Sequence, residues 1–211
     1  MWYVFADACA QHRNERAIWS RQGLWTFGEM HDQAVRWAQW FLDQGIQPGD
    51  LVAMYMKNSP EFIIVWFAML CIGAAPAFIN YNLEGNALLH CLGVARTKLI
   101  LVDDDPTFLR RINASRQGIE EKGTKIVLLD QALNQEVTAR KATDPGDEFR
   151  GGVTGEFPYC LIYTRSVRIL GNVRFFADAN SQWHDRSAER LRFHNVPCSF
   201  TRLEVWWFLR L

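Results

Sequence analysis

Residues 62–79, FIIVWFAMLCIGAAPAFI, form a run of eighteen consecutive residues without a charged side chain. Such a run reaches the lower length limit for a helix that spans a bilayer. Gly73 and Pro76 interrupt the run, and they divide it into one piece of helical length and one piece of strand length. We therefore predict a buried helix followed by a buried strand rather than a membrane span.

The residues before this run carry a helix signal and then a strand signal. Thr26 and Glu29 have the spacing of a capping box, and apolar residues recur at helical spacing from there until Gly45. Residues 48–50, Pro-Gly-Asp, predict a turn, and residues 51–56 are a continuous apolar run of strand length. A continuous run of this kind is typical of a strand that is covered on both faces, as in a parallel sheet.

Helix and strand patterns continue to alternate along the chain. Ser59, Pro60 and Glu61 form a helix-start signal. The predicted elements are a hairpin over 17–20 and 24–26, helices over 26–45, 59–72, 84–94, 105–116 and 131–141, and strands over 51–56, 75–80, 98–102, 125–129 and 159–164. The Gly-, Asp- and Thr-rich residues 142–157 predict a loop. This order predicts an α/β fold, an open and mostly parallel sheet with helices on both faces.

Overall charge and cysteine usage exclude several classes of protein. The chain has 23 basic and 23 acidic residues, so its net charge gives no electrostatic signature of a nucleic acid or an anionic membrane as partner. The five cysteines are widely spaced and form no C-x-x-C pair, which argues against a disulfide framework and a zinc ribbon. No basic segment precedes the apolar residues 1–10, so no secretory signal is predicted and we expect an intracellular protein.

The distribution of charge predicts a boundary after Thr164. Residues 1–164 carry 15 basic and 19 acidic side chains, whereas residues 165–211 carry 8 basic and 4 acidic ones. All five lysines lie in the first part, and every basic residue of the second part is an arginine. We therefore predict a folded region over 1–164 and an unrelated, arginine-rich and poorly ordered tail over 165–211.

Ligands of open α/β sheets bind beside the carboxyl ends of the strands. The loops to consider therefore follow Met56, Asn80, Val102, Leu129 and Thr164. The triplet 103–105, Asp-Asp-Asp, has the ligand type that Mg²⁺ prefers. Asp105 before Pro106 is also an ordinary helix start, and we favour that interpretation, with Asp103 and Asp104 solvated.

The remaining reactive side chains give no catalytic pattern. We predict that His12 and His31 lie on the surface and that His90 is a packed or capped side chain. His184, His194 and Cys198 are spaced too loosely for a zinc finger. The chain contains no G-x-S-x-G, G-x-x-x-x-G-K-[ST] or G-x-G-x-x-G motif. We therefore predict no catalytic and no metal-ligating residue.

Several short segments carry a family resemblance through their order and spacing. They are LWTFGEM at 24–30, GIQPGDLVA at 45–53, NSPE at 58–61 and GAAP at 73–76, followed by Ile79-Asn80. Together they resemble the first third of the AMP-forming acyl-CoA synthetases. INYN at 79–82 and LLH at 88–90 are similar to the branch of very-long-chain fatty acid transport proteins. The resemblance covers residues 1–164.

This resemblance implies a two-step reaction. A fatty acid carboxylate attacks the α-phosphate of ATP, which gives an acyl-adenylate and pyrophosphate, and coenzyme A then takes the acyl group, with Mg²⁺ assisting. The family holds the phosphates with a loop, Y-T-S-G-T-T-G-x-P-K, whose backbone amides, hydroxyls and lysine offset their charge. The resemblance also implies association with the peroxisome, the endoplasmic reticulum or another membrane.

The chain departs from the family pattern directly after Thr164. Tyr163 and Thr164 match the start of the phosphate loop, and they are the only cofactor-binding residues that the resemblance assigns. RSVRILG follows at 165–171, without the glycines, the threonine pair or the Pro-Lys. Neither the later nucleotide motifs nor the catalytic lysine of the lid domain has a counterpart before Leu211.

We therefore predict a truncated, inactive fragment that does not itself bind ATP, Mg²⁺ or coenzyme A. In one alternative, the tail is genuine and Arg165 and Arg168 contact phosphate through their side chains. In another, the chain is a non-enzymatic interaction module that docks to a full-length synthetase or to a membrane.

Overall fold

The structure is a computed structural model, and it describes residues 2–21 and 23–145, together with the backbone of residues 156–157 and 173–174. The helices are α1 (Trp2–Gln11), α2 (Phe27–Asp43), α3 (Pro60–Cys71), α4 (Gly85–Ala95), α5 (Pro106–Glu120) and α6 (Gln131–Thr138). The strands are β1 (Arg16–Ser20), β2 (Gly23–Thr26), β3 (Leu51–Tyr55), β4 (Ala75–Phe78), β5 (Leu99–Asp103), β6 (Lys125–Leu129), β7 (Glu156–Phe157) and β8 (Val173–Arg174).

The main sheet of the described residues is parallel, with the strand order β4-β3-β5-β6. Val52 of β3 is level with Pro76 of β4 on one side and with Leu99 of β5 on the other. Two antiparallel pairs lie outside this sheet, the β1–β2 hairpin and the pair β7–β8. The helices pack on both faces of the main sheet, which confirms the predicted α/β fold.

Alternate residues of each strand separate two cores, because successive side chains of a strand point to opposite faces. On the first face, Val52 and Met54 of β3 pack with helices α1, α2, α3 and α6. On the second face, Ala53 and Tyr55 pack with helices α4 and α5. Both faces of β3 are therefore buried, as its uninterrupted apolar sequence predicts.

Side-chain caps fix where the helices begin. Thr26 and Glu29 form the predicted capping box of α2, in which each side chain binds the other residue's backbone amide. Ser59 accepts a hydrogen bond from the amide of Phe62 at the start of α3. Asp105 and Asp130 cap α5 and α6 in the same way. These caps satisfy backbone amides that would otherwise lack partners.

The apolar run over residues 62–79 folds as a helix and a strand. It supplies most of α3 and all of β4, and Gly73 turns the chain between them at a φ of +73°. Within the described ranges, no helix has both the length and the apolar character that crossing a membrane requires. The prediction of a buried helix and strand is confirmed.

Several predicted boundaries were wrong, and one helix was missed. The sequence analysis placed no element over residues 1–10, where α1 begins. Helix α5 extends past Arg116 because Ile119 continues its buried stripe, whereas α6 ends at Thr138, before the predicted Lys141. The structure also places β7 inside the predicted loop 142–157. The predicted strand 159–164 lies outside the described residues.

Candidate functional site

The candidate site lies at the carboxyl end of the main sheet, between β3 and β5. The chain leaves β3 for β4 on one side and returns past β3 to β5 on the other. The connections at the ends of β3 and β5 therefore diverge, and this divergence is where open α/β sheets bind ligands. Lys57 lies two residues after the end of β3, and the acidic segment 103–105 begins with the last residue of β5.

Lys57 bridges the two strands through both its backbone and its side chain. Its amide donates to Asp103 Oδ2 at 2.6 Å, and its Nζ donates to Asp105 Oδ2 at 2.7 Å. Nζ also lies 5.3 Å from the centre of the Phe108 ring. The protein's own side chains therefore occupy this crevice.

The two carboxylates of the bridge titrate in opposite directions. The hydrogen bond from the Lys57 ammonium lowers the pKa of Asp105, and the amide of Thr107 adds to this effect. Burial raises the pKa of Asp103, and the hydrogen bond from the Lys57 amide offsets only part of that rise. The same ion pair raises the pKa of Lys57, so Lys57 and Asp105 are both charged at neutral pH.

An aromatic cluster packs beside the contacts that Lys57 makes with Asp103 and Asp105. Phe108 packs edge-on against Tyr55, with ring centres 5.3 Å apart, and stacks on Tyr81 at 5.2 Å. The Tyr55 hydroxyl donates to the carbonyl of Leu83 at 2.7 Å, and burial raises the pKa of this phenol. Arg111 donates to the carbonyl of Tyr81. These contacts hold the segment after β4 against helix α5.

The arrangement does not fit a triphosphate. Phosphate sites need donors that face the ligand, such as converging backbone amides or unpaired cations. At this edge Lys57 binds Asp105, Arg111 lies 3.6 Å from the Glu84 carboxylate, and Asp103 and Asp104 add further negative charge. We therefore derive no phosphate chemistry from these residues.

The arrangement does not fit Mg²⁺ either. In the part of the chain that the structure describes, no three acidic, histidine or cysteine side chains converge as metal ligands. The carboxylate oxygens of Asp103 and Asp105 already accept hydrogen bonds from Lys57 and from the first amides of α5. Asp105 is the helix start that the sequence predicts. Asp103 is half-buried and hydrogen-bonded rather than solvated, so that part of the prediction was wrong.

The histidines occupy other environments than predicted. His31 is half-buried and stacks on Trp2 with ring centres 5.6 Å apart, and His12 is also half-buried, so neither is a plain surface residue. His90 is exposed rather than packed, because its position on α4 faces away from the sheet. Burial raises the pKa of the Cys9 thiol to about 12, which keeps it protonated and unreactive at neutral pH.

Tyr163 and Thr164, the predicted cofactor-binding residues, lie outside the described residues, as do His184, His194 and Cys198. Sequence reasoning named the loop after Met56 but missed Lys57 and Arg111. The available signal for Lys57 was its position directly after a buried strand. Its partner Asp105 lies 48 residues further along the chain, at a distance that local patterns do not report.

Known proteins are similar to this chain over a range that includes the candidate site. A family model described as AMP-binding enzyme matches residues 5–164. A very long-chain fatty acid transport protein from Cochliobolus heterostrophus is 30% identical over 132 residues, which cover 62% of this chain and 20% of that protein. The medium/long-chain-fatty-acid–CoA ligase FadD6 from Mycobacterium tuberculosis is 25% identical over 188 residues, which cover 81% of this chain and 31% of that protein.

A third relative, isopenicillin N epimerase component 1 from Hapsidospora chrysogena, is 33% identical over 130 residues, which cover 60% of this chain and 21% of that protein. The chain thus spans about a fifth to a third of the length of these three relatives.

Two solved structures share the fold at low sequence identity. A fatty acyl CoA synthetase from Mycobacterium tuberculosis superposes with a TM-score of 0.63 at 21% identity, covering 69% of this chain and 29% of that one. The anthranilate CoA ligase AuaEII in complex with anthranoyl-AMP gives 0.61 at 19% identity, covering 67% and 27%.

Proposed function

The chain belongs to the family of AMP-binding enzymes, and we propose that its residues 1–164 are the N-terminal part of an ATP-dependent fatty acyl-CoA ligase. In such an enzyme a fatty acid is joined to AMP at the expense of ATP and then passed to coenzyme A. The fatty acid as substrate is supported by the similarity to a very long-chain fatty acid transport protein and to a medium/long-chain-fatty-acid–CoA ligase.

One observation carries the proposal: the family match and the phosphate-loop pattern both end at Thr164. The family match runs to residue 164, and the phosphate-loop pattern begins at Tyr163-Thr164 and is lost from Arg165 onwards. The net charge also changes sign there, from −4 over residues 1–164 to +4 over residues 165–211. We propose that residues 165–211 are a separate, unrelated segment and that the 211-residue chain does not complete the reaction alone.

The described carboxyl edge supports this proposal. Its cations are committed to carboxylates, so it offers no substitute for the missing amide cradle. A ligand with several phosphates would have to displace the Lys57–Asp105 pair and then face Asp103 and Asp104. Binding of ATP therefore requires groups that this edge does not supply.

The direct test is fatty-acid-dependent exchange of pyrophosphate into ATP by the purified 211-residue chain. We expect no exchange above the background without fatty acid, while a full-length family ligase assayed in parallel shows it. Exchange by the chain that depends on added fatty acid would contradict the proposed incompleteness.

A second test restores the loop. The substitutions Arg165→Ser, Ser166→Gly, Val167→Thr, Arg168→Thr and Ile169→Gly turn residues 163–169 into Y-T-S-G-T-T-G. We expect this variant to bind ATP measurably by calorimetry where the unmodified chain does not, because glycines let backbone amides approach phosphate.

The matched control for the restored loop is the double substitution Arg165→Ala, Arg168→Ala. It removes the same two charges without adding glycine, and we expect it not to bind ATP. ATP binding by the unmodified chain that this double substitution abolishes would instead support phosphate contacts from the arginine side chains. The proposal would then be wrong for residues 165–168.

The predicted location at a peroxisomal, reticular or other membrane stays a prediction. Fractionation of cells that express the tagged chain would test it, with a chain ending at residue 164 as the comparison. We expect both to sediment with the membrane fraction, because the family resemblance that favours this location covers residues 1–164.

A further inference from the structure

We propose that the β1–β2 hairpin is a docking surface for an anionic lipid bilayer. The proposal requires neither ATP nor the ligase reaction, and it deepens the membrane location proposed above. Large exposed apolar side chains are unevenly distributed over the described residues. The exposed large apolar side chains of the described residues are Tyr3, Val4, Trp19 and Leu24, and all of them belong to the first 24 residues.

Two of these side chains are direct neighbours on the hairpin. Trp19 of β1 is 89% exposed, and its partner across the strands is Leu24 of β2, which is 45% exposed. The preceding pair, Ile18 and Trp25, is partly buried against the core of the first face. The hairpin therefore attaches to the protein through one face and presents an apolar pair on the other.

The charges of the hairpin itself have one sign, and the carboxylates that flank it, Glu15 and Glu29, are bound to His12 and Thr26 respectively. Residues 16–26, RAIWSRQGLWT, contain two arginines and no acidic residue, although the whole chain has no net charge. Arg16 and Arg21 are both exposed. The nearby Arg13, in contrast, is paired with Asp32 at 2.6 Å. The hairpin therefore offers two available cations beside an indole and a leucine.

Two arginines beside an exposed apolar pair favour an anionic partner over residues 146–211 of this chain and over a second copy of it. Residues 146–211 carry 9 arginines and 7 acidic residues, so they do not complement the charge of the hairpin. A second copy docked symmetrically would bring like charges together, because a two-fold interface pairs a patch with itself.

The size of the patch favours a membrane over an acidic protein. A stable protein interface buries on the order of 1,000 Å² or more in total, which two side chains do not provide. A bilayer needs less, because a tryptophan placed at the headgroup level and a few arginines near anionic lipid give a reversible contact.

The test measures co-sedimentation of the full 211-residue chain with vesicles of phosphatidylcholine mixed with phosphatidylserine. We expect Trp19→Ser to weaken binding about tenfold, since it removes the largest inserted side chain. We expect Arg16→Gln and Arg21→Gln to weaken it about fivefold each, and only on vesicles that contain phosphatidylserine. Trp19→Leu should retain most of the binding, because leucine also inserts.

The matched control is Arg110→Gln, which removes an exposed arginine from α5 on the second face of the sheet. We expect it to bind as the unmodified chain does. The proposal is overturned if the unmodified chain does not sediment with these vesicles, or if the Trp19, Arg16 and Arg21 variants bind unchanged. A dimer in sedimentation velocity that Trp19→Ser dissociates, without vesicle binding, would overturn it in favour of a protein interface.

Discussion

The carboxyl edge of the main sheet and the β1–β2 hairpin both combine aromatic rings with cations, but they use them in opposite ways. At the edge, Phe108 is 3% exposed and Lys57 is bound to Asp105. In the hairpin, Trp19 is 89% exposed and Arg21 lies in solvent. The same residue types are thus structural in one region and available to a partner in the other. Burial and pairing, rather than composition, decide which region can recruit a ligand.

The largest expected difference between the regions comes from truncating one aromatic side chain in each. Phe108→Ala leaves a cavity between Tyr55 and Tyr81, and we expect it to lower the free energy of unfolding by about 3–5 kcal/mol. Trp19→Ala removes a side chain with few contacts, and we expect a change below about 0.5 kcal/mol. Urea unfolding followed by circular dichroism measures both. Equal losses would remove the distinction between the regions.

A smaller difference is expected from deleting one hydroxyl in each region. Tyr55→Phe removes the donor of a part-buried hydrogen bond to the carbonyl of Leu83, and we expect a loss of about 1 kcal/mol. Ser20→Ala in the hairpin removes an exposed hydroxyl that donates to the carbonyl of Gly23, and we expect a change within about 0.5 kcal/mol. The same unfolding experiment compares them. A larger loss for Ser20→Ala would contradict the comparison.

The pH dependence of stability sharpens the comparison further. Because burial raises the pKa of Asp103 in the folded state, its charged form destabilises the fold above that pKa. Asp103→Asn should therefore stabilise the protein at neutral pH relative to the unmodified chain. This gain should shrink as the pH falls through the raised pKa and level off below the ordinary aspartate range.

Unfolding titrations across pH measure this gain, with the exposed Asp104→Asn as the control. We expect the control to show little of this dependence. A gain for Asp103→Asn that grows towards acid would show that the carboxylate is stabilised rather than penalised in the fold.

The smallest effect on stability is expected from Lys57→Gln, because the pair that it breaks is partly solvated. The backbone contact from residue 57 to Asp103 remains, so the substitution isolates the ammonium. We expect the pKa of Asp105 to rise towards its ordinary value, which carboxyl NMR titration measures. Arg21→Gln in the hairpin should leave that pKa unchanged. An unshifted Asp105 in Lys57→Gln would contradict the bridge.

Local signals were enough to predict most of the fold. The pairs Thr26–Glu29, Ser59–Pro60 and Asp105–Pro106 mark helix starts through contacts within one turn, and the structure has a helix at each. Helix α1 was missed because Met1 is not a residue type that caps helices and the first turn of α1 has no acidic residue. Its burial depends on α2 and α3, which a local pattern does not report.

The candidate site was less predictable than the fold, because its contacts join distant parts of the chain. The predicted loops included those after β3 and β5, but pairing of Lys57 with the acidic segment depends on the strand order. His90 was misjudged for a related reason. Its exposure depends on which stripe of α4 faces the sheet, and the nearly uniform apolar sequence of that helix obscures the stripe.

The position of α6 on the first face has a consequence for how the sheet can grow. Crossover connections between parallel strands are almost always right-handed. In this sheet, the connection through α3 on the first face leads from β3 to β4, and the connections through α4 and α5 on the second face lead the other way. A further parallel strand reached from α6 by such a connection would join beside β4, and its tip would neighbour Asn80 rather than Asp130.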